Sequence, residues 1–212
     1  MTSDINSYKC HGSWVTSGYT SYYQFAYKAL YEYRLTLKEL ENKESELIKS
    51  HKDVEPALLS GFISHETDNL VEKCRRHETS TILFSCMTIE GFINNYGVRR
   101  LGEAFYKKNL ERLGITEKLS LLILACIGKA IESNAVLMKK ARALFDARNS
   151  LVHPKTKEFN HEKLDQYVND HPRDCRIEEY ITDMEIILSE LCKLDSDIKR
   201  DFEFRLPAEE PN

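Results

Sequence analysis

The chain has 212 residues, a formal net charge of -4, and 30% charged against 42% hydrophobic side chains. That balance excludes a disordered chain and a membrane-embedded one, and the length suits one large domain with its own core. Taken alone, -4 argues against a nucleic-acid partner, because such proteins usually carry excess positive charge.

The longest apolar run, Leu119 to Ile127 with Ser120 inside it, is too short to span a bilayer. Met1 to Ser13 carry no basic-then-apolar signal pattern, so a cytoplasmic location without membrane attachment is expected.

Residues 57–153 contain no proline, which permits long helices there. No alternating Val/Ile/Thr run and no Asn-Gly or Asp-Gly turn occurs, so an all-α fold without strands is predicted. Residues 1–18 read as an N-terminal extension, 19–199 as a single helical domain and 200–212 as a tail.

Six helices are expected in that domain. The first runs from about Tyr19 to Ser50, with Tyr23, Ala26, Leu30, Tyr33, Leu37, Leu40 and Leu47 stepping by three and four along one stripe. The second, from about His65 to Tyr96, is apolar nearly all round through Ile82 to Ile93, which makes it the central helix, with Gly97 as its stop. A short third spans about Leu101 to Leu113. Thr116 is placed to cap a fourth, Glu117 to about Ile131. The fifth follows Ser133 or Asn134 and ends just before Pro154. The sixth, about Arg176 to Ile198, carries Ile177, Ile181, Met184, Leu188, Leu191 and Leu194 on one stripe. A bundle follows, with the first, second, fifth and sixth helices as its long members and the two shorter ones between the second and the fifth.

The cysteines form no CxxC. Cys74, Cys86, Cys126 and Cys192 lie in apolar helical patterns and read as small core residues. A zinc set would have to gather Cys10, His11, His161, His171 and Cys175, whose spacing matches no finger or knuckle, so neither a metal nor another cofactor is expected.

The stretch that carries chemistry is Ala147-Arg148-Asn149-Ser150-Leu151-Val152-His153-Pro154. In an unbroken helix Arg148 and His153 would stand about 140° apart. Pro154 biases His153 away from helical backbone, so the helix ends there and the imidazole is released from that register. Asn149 and His153 are an i, i+4 pair, which lets the amide orient the ring. A histidine near neutral pKa passes protons, and a guanidinium holds two phosphate oxygens and stabilises charge that develops on them. The plainer reading is that Arg and His at a helix end simply complement its dipole.

Arg148-x4-His153, with Asn149 after the arginine and Pro154 closing the helix, resembles the HEPN family (higher eukaryotes and prokaryotes nucleotide-binding). Thr81 to Asn94 is similar to that family's second long helix, with Glu90 and Asn94 following an apolar run. The resemblance covers about residues 66–157. It implies a four-helix bundle, a homodimer with two motifs facing across a cleft, and metal-independent RNA cleavage through 2′-hydroxyl attack to a 2′,3′-cyclic phosphate. His153 would serve as general acid or base, Arg148 would hold the phosphate and Asn149 would orient, with Glu90 and Asn94 in support. A toxin, or a defence or stress protein, would fit that activity, with a cognate antitoxin or neighbouring protein as partner. The alternative is a non-catalytic helical module that binds a nucleotide or a protein.

Glu90 in an otherwise apolar helix needs a partner, either at the Arg148 site or simply as a tie between the second and fifth helices. The tyrosines crowding the first helix (Tyr19, Tyr22, Tyr23, Tyr27, Tyr31 and Tyr33) can stack on bases, but aromatics at helical spacing more often pack. The net charge also divides unevenly. Residues 99–157 hold 13 Lys/Arg against 5 Asp/Glu, while residues 158–212 hold 7 against 16. Positive charge therefore gathers around the motif, where Arg99, Arg100, Lys139, Lys140, Arg142 and Lys155 are the candidate RNA-binding residues.

Overall fold

The computed structural model describes residues 6–10, 13–152, 177–195 and 198, with the backbone alone for 6–10 and 13–17. Two long helices, α1 (Tyr19–Ser50) and α2 (Pro56–Leu101), form an antiparallel hairpin. Tyr19 meets Phe92 near one end and His51 meets Phe62 near the other. Two short helices follow, α3 (Glu103–Asn109) and α4 (Ile115–Ile127), and then α5 (Val136–Val152) and α6 (Ile177–Leu194). Among the described residues α2 touches α1, α3, α4, α5 and α6, so it is the central helix that its apolar circumference predicts.

The core follows from the stripes. Tyr23, Ala26, Leu30, Tyr33 and Leu40 of α1 are buried, and so are Ile82, Ile89, Phe92 and Ile93 of α2. From α5 come Leu137, Ala141 and Leu144, and from α6 Ile181, Met184, Leu188 and Leu191. Thr67, Thr81 and Thr88 are buried in α2 because each hydroxyl donates to the carbonyl four residues back, which leaves no bare polar atom. Most of the α1 tyrosines pack, while Tyr31 is exposed. Tyr19 meets the Phe92 ring edge-on at 5.5 Å, Tyr22 stacks on Phe84, and the hydroxyls of Tyr23 and Tyr27 both donate to Glu185 on α6.

Several limits differ from the expected ones. The second helix begins at Pro56, where a first-turn proline loses no hydrogen bond, and not near His65. It also runs through Gly97 and stops at Gly102, whose φ of 82° is the one that favours glycine there. Gly97 is a close-approach site instead, buried under the Tyr106 ring. Thr116 lies inside the first turn of α4 and does not cap it. Gly114 precedes that helix, and its N–H donates to Glu117 Oε2 at 3.0 Å. α4 ends at Gly128, which is left-handed, and does not reach Ile131.

The fold class is all-α, as expected, and one short hairpin is added to its six helices among the described residues. β1 (Asn6–Cys10) pairs antiparallel with β2 (Ser13–Ser17), from Asn6 opposite Ser17 to Cys10 opposite Ser13, and β2 lies against α2. Trp14, Val15 and Thr16 favour extended backbone, but three such residues are too few to show an alternation. No described helix is long and apolar enough to cross a membrane.

Candidate functional site

α5 buries Leu137, Met138, Ala141, Leu144 and Phe145 against the bundle. Its C-terminal end therefore projects past the core, with Arg148 just before the last turn and Asn149 opening it. The Arg148 side chain is 29% exposed, and its guanidinium sits over the Phe145 ring one turn back, 5.5 Å from the centroid. Nη1 of Arg148 donates to Asn149 Oδ1 at 3.0 Å. His153, Pro154 and Lys155 lie outside the described residues.

Glu90 joins Arg148 from α2. Its Oε2 stands 3.8 Å from Arg148 Nη2, so the tie between second and fifth helices read from the sequence exists as an ion pair. Its other oxygen faces a second cation, Lys118 of α4, at 3.9 Å. Lys118 is 2% exposed. Burial pulls its pKa below the ordinary lysine value, and the carboxylates of Glu90 and Glu111 oppose that fall. Asn94, one turn beyond Glu90, accepts from Lys118 Nζ at 3.2 Å and from the Tyr106 hydroxyl. Asn94 thus anchors α3 and α4 to α2 behind Glu90. The cluster brings together Arg148, Asn149, Glu90 and Asn94, and it adds Lys118 and Tyr106, neither of which the sequence reading singled out. A lysine immediately before Leu119, with Leu122 and Ile123 completing one buried face of α4, is the pattern that marks it.

Cys86 lies one turn before Glu90, and its Sγ donates to the Leu144 carbonyl at 3.5 Å. Burial pushes its thiol up to about 12, against the opposing charge of Arg148, as befits a packed thiol.

The basic candidates separate by environment. Lys140 pairs with Asp183 of α6 at 2.7 Å, and Arg100 pairs with Asp195 at the far end of α6 while lying 5.6 Å from the Tyr96 ring centroid. Arg99 is half-buried. Lys139 and Arg142 are exposed on α5, the helix that carries Arg148. The residues weighed as a zinc set all fall outside the described side chains.

The fold and site together define a helical bundle with a charged cluster, Arg148–Glu90–Lys118, at the end of α5. No protein-family model, no curated protein and no solved structure matches this chain.

Proposed function

We propose that this protein is a metal-independent endoribonuclease similar to those of the HEPN family, acting as a homodimer in a toxin, defence or stress role. One observation carries the reading. Arg148 reaches solvent near the C-terminal end of α5 beside Asn149, and the sequence sets His153-Pro154 directly after Val152.

In this reading Arg148 holds two non-bridging oxygens of the scissile phosphate and stabilises the charge that grows on them. His153 takes the proton of the 2′-hydroxyl as it attacks the adjacent phosphorus, or gives a proton to the departing 5′-oxygen, and a second His153 across the dimer completes the pair. The products are a 2′,3′-cyclic phosphate and a 5′-hydroxyl. Lys139 and Arg142 draw the polyanion toward the motif.

A second reading has a specific support. Glu90 already occupies Arg148, as it would in a helical module that needs no free guanidinium. Purified protein incubated with single-stranded RNA in EDTA separates the two. Cleavage by the wild type, lowered about 10²–10³-fold in Arg148→Ala and about 10²–10⁴-fold in His153→Ala, is the expected result. Equal cleavage by all three, or none across varied RNAs, would sink the enzyme reading.

A further inference from the structure

Lys118 has no place in the chemistry above, yet among the described residues it is the most deeply buried charged side chain. An ammonium that is 2% exposed must keep a counter-charge, and the Glu90 carboxylate stands 3.9 Å away. Its position is set from behind, since Nζ donates to Asn94 Oδ1 at 3.2 Å and Asn94 is itself held by the Tyr106 hydroxyl. Glu90 therefore has one oxygen toward a cation that cannot leave and the other toward Arg148, a cation that solvent reaches. Both separations, 3.9 and 3.8 Å, exceed hydrogen-bond length, so neither pair is locked.

We propose that Lys118 is a positioning residue that retains the Glu90 carboxylate when a phosphate group displaces it from Arg148. This rests on reading Arg148 as the phosphate-binding residue. An arriving phosphate exchanges one anion on the guanidinium for another, bound bidentately. The displaced Glu90 side chain, 42% exposed, is met by water on one side and stays drawn to Lys118 on the other. Without Lys118, Glu90 is drawn to Arg148 alone of these two cations and competes more strongly with the incoming anion.

The test is calorimetric titration with inorganic pyrophosphate and with a 2′-O-methyl single-stranded RNA, which lacks the attacking hydroxyl. Arg148→Ala comes first. If it binds both probes as wild type does, the phosphate role of Arg148 fails, whatever Lys118 does. With that role intact, Lys118→Met is expected to bind about ten-fold more weakly than wild type, and to lose nothing further once Glu90→Gln is present. Equal affinity of wild type and Lys118→Met overturns the proposal. So does the same loss in both backgrounds, which would mean that Lys118 acts only through its long-range field.

Should Lys118→Met not fold, the wild type still decides. The Lys118 side-chain NMR signal is expected to shift as pyrophosphate saturates Arg148, although solvent hardly reaches that amine, and to stay still in Glu90→Gln. A signal that does not move in the wild type overturns the proposal.

Discussion

The ring of Tyr106 fills the space in which a side chain at position 97 would stand, so that a Cβ on Gly97 would lie 2.4 Å from Tyr106 Cε2. This contact presses α3 onto α2 and aims the Tyr106 hydroxyl at Asn94. Alanine has the better intrinsic helix propensity, by about 1 kcal/mol. Overpacking a buried ring works the other way, and Gly97→Ala is expected to destabilise the protein by about 1–3 kcal/mol. Urea denaturation measures the balance. An unchanged or raised midpoint would show that the ring gives way.

The two neighbouring lysines of α5 should behave differently. Lys140 neutralises Asp183, a carboxylate only 6% exposed, whereas Lys139 points to solvent. Lys140 is itself 40% exposed, which discounts the pair for solvent screening, so Lys140→Ala is expected to cost about 1–3 kcal/mol of stability. Lys139→Ala and Arg142→Ala should each change stability by less than about 0.5 kcal/mol, and their effect should appear in RNA affinity and its salt dependence. Thermal melts and filter binding on the three variants check this. The division fails if Lys139→Ala melts lower than Lys140→Ala.

Glu185 accepts from the hydroxyls of Tyr23 at 2.6 Å and Tyr27 at 2.7 Å, and so ties α6 to α1. Burial, then the bond to Glu185, raises Tyr27 from 10.0 to about 12, and burial raises Tyr23 further. A raised folded-state pKa means that the unfolded chain loses its proton first. The stabilisation is therefore complete below about pH 10 and is lost as pH climbs through the folded values. Unfolding free energy measured from pH 9 to 12 should fall in the wild type and fall less steeply in Tyr27→Phe. Parallel curves would remove Tyr27 as the cause.

Cys86 is shielded in two ways, by 3% exposure and by a thiol pKa of about 12. Iodoacetamide at pH 8 should therefore modify half-buried Cys192 well before Cys86 in the native protein, with both reacting equally in urea. Mass spectrometry of timed digests gives the order. Native labelling of Cys86 at the rate of Cys192 would contradict the tight contact of α2 with α5 at Leu144.

Much of this architecture was legible in the residues themselves. Apolar steps of three and four delimit α1 at Tyr19 and Ser50, and an apolar circumference marks α2 as central, because helical burial depends on a periodicity that every turn repeats. Arg148, Asn149 and Glu90 could be picked out as candidates for the same reason, since each is a polar residue at a helix end or in an apolar run.

What the residues alone did not decide is where one helix meets another. Gly97 and Gly102 are equally able to end α2. Only the Tyr106 ring, four residues beyond the second glycine and in space-filling contact with the first, turns Gly97 into a contact point and leaves Gly102 as the stop. Lys139, Lys140 and Lys118 are alike as letters, yet one faces water, one a carboxylate of α6 and one the buried side of Glu90. A lysine's local sequence sets its charge and reach. Whether that charge is solvated or must be paired is settled by the helix laid across it, a relationship between residues far apart in the chain that no local periodicity encodes.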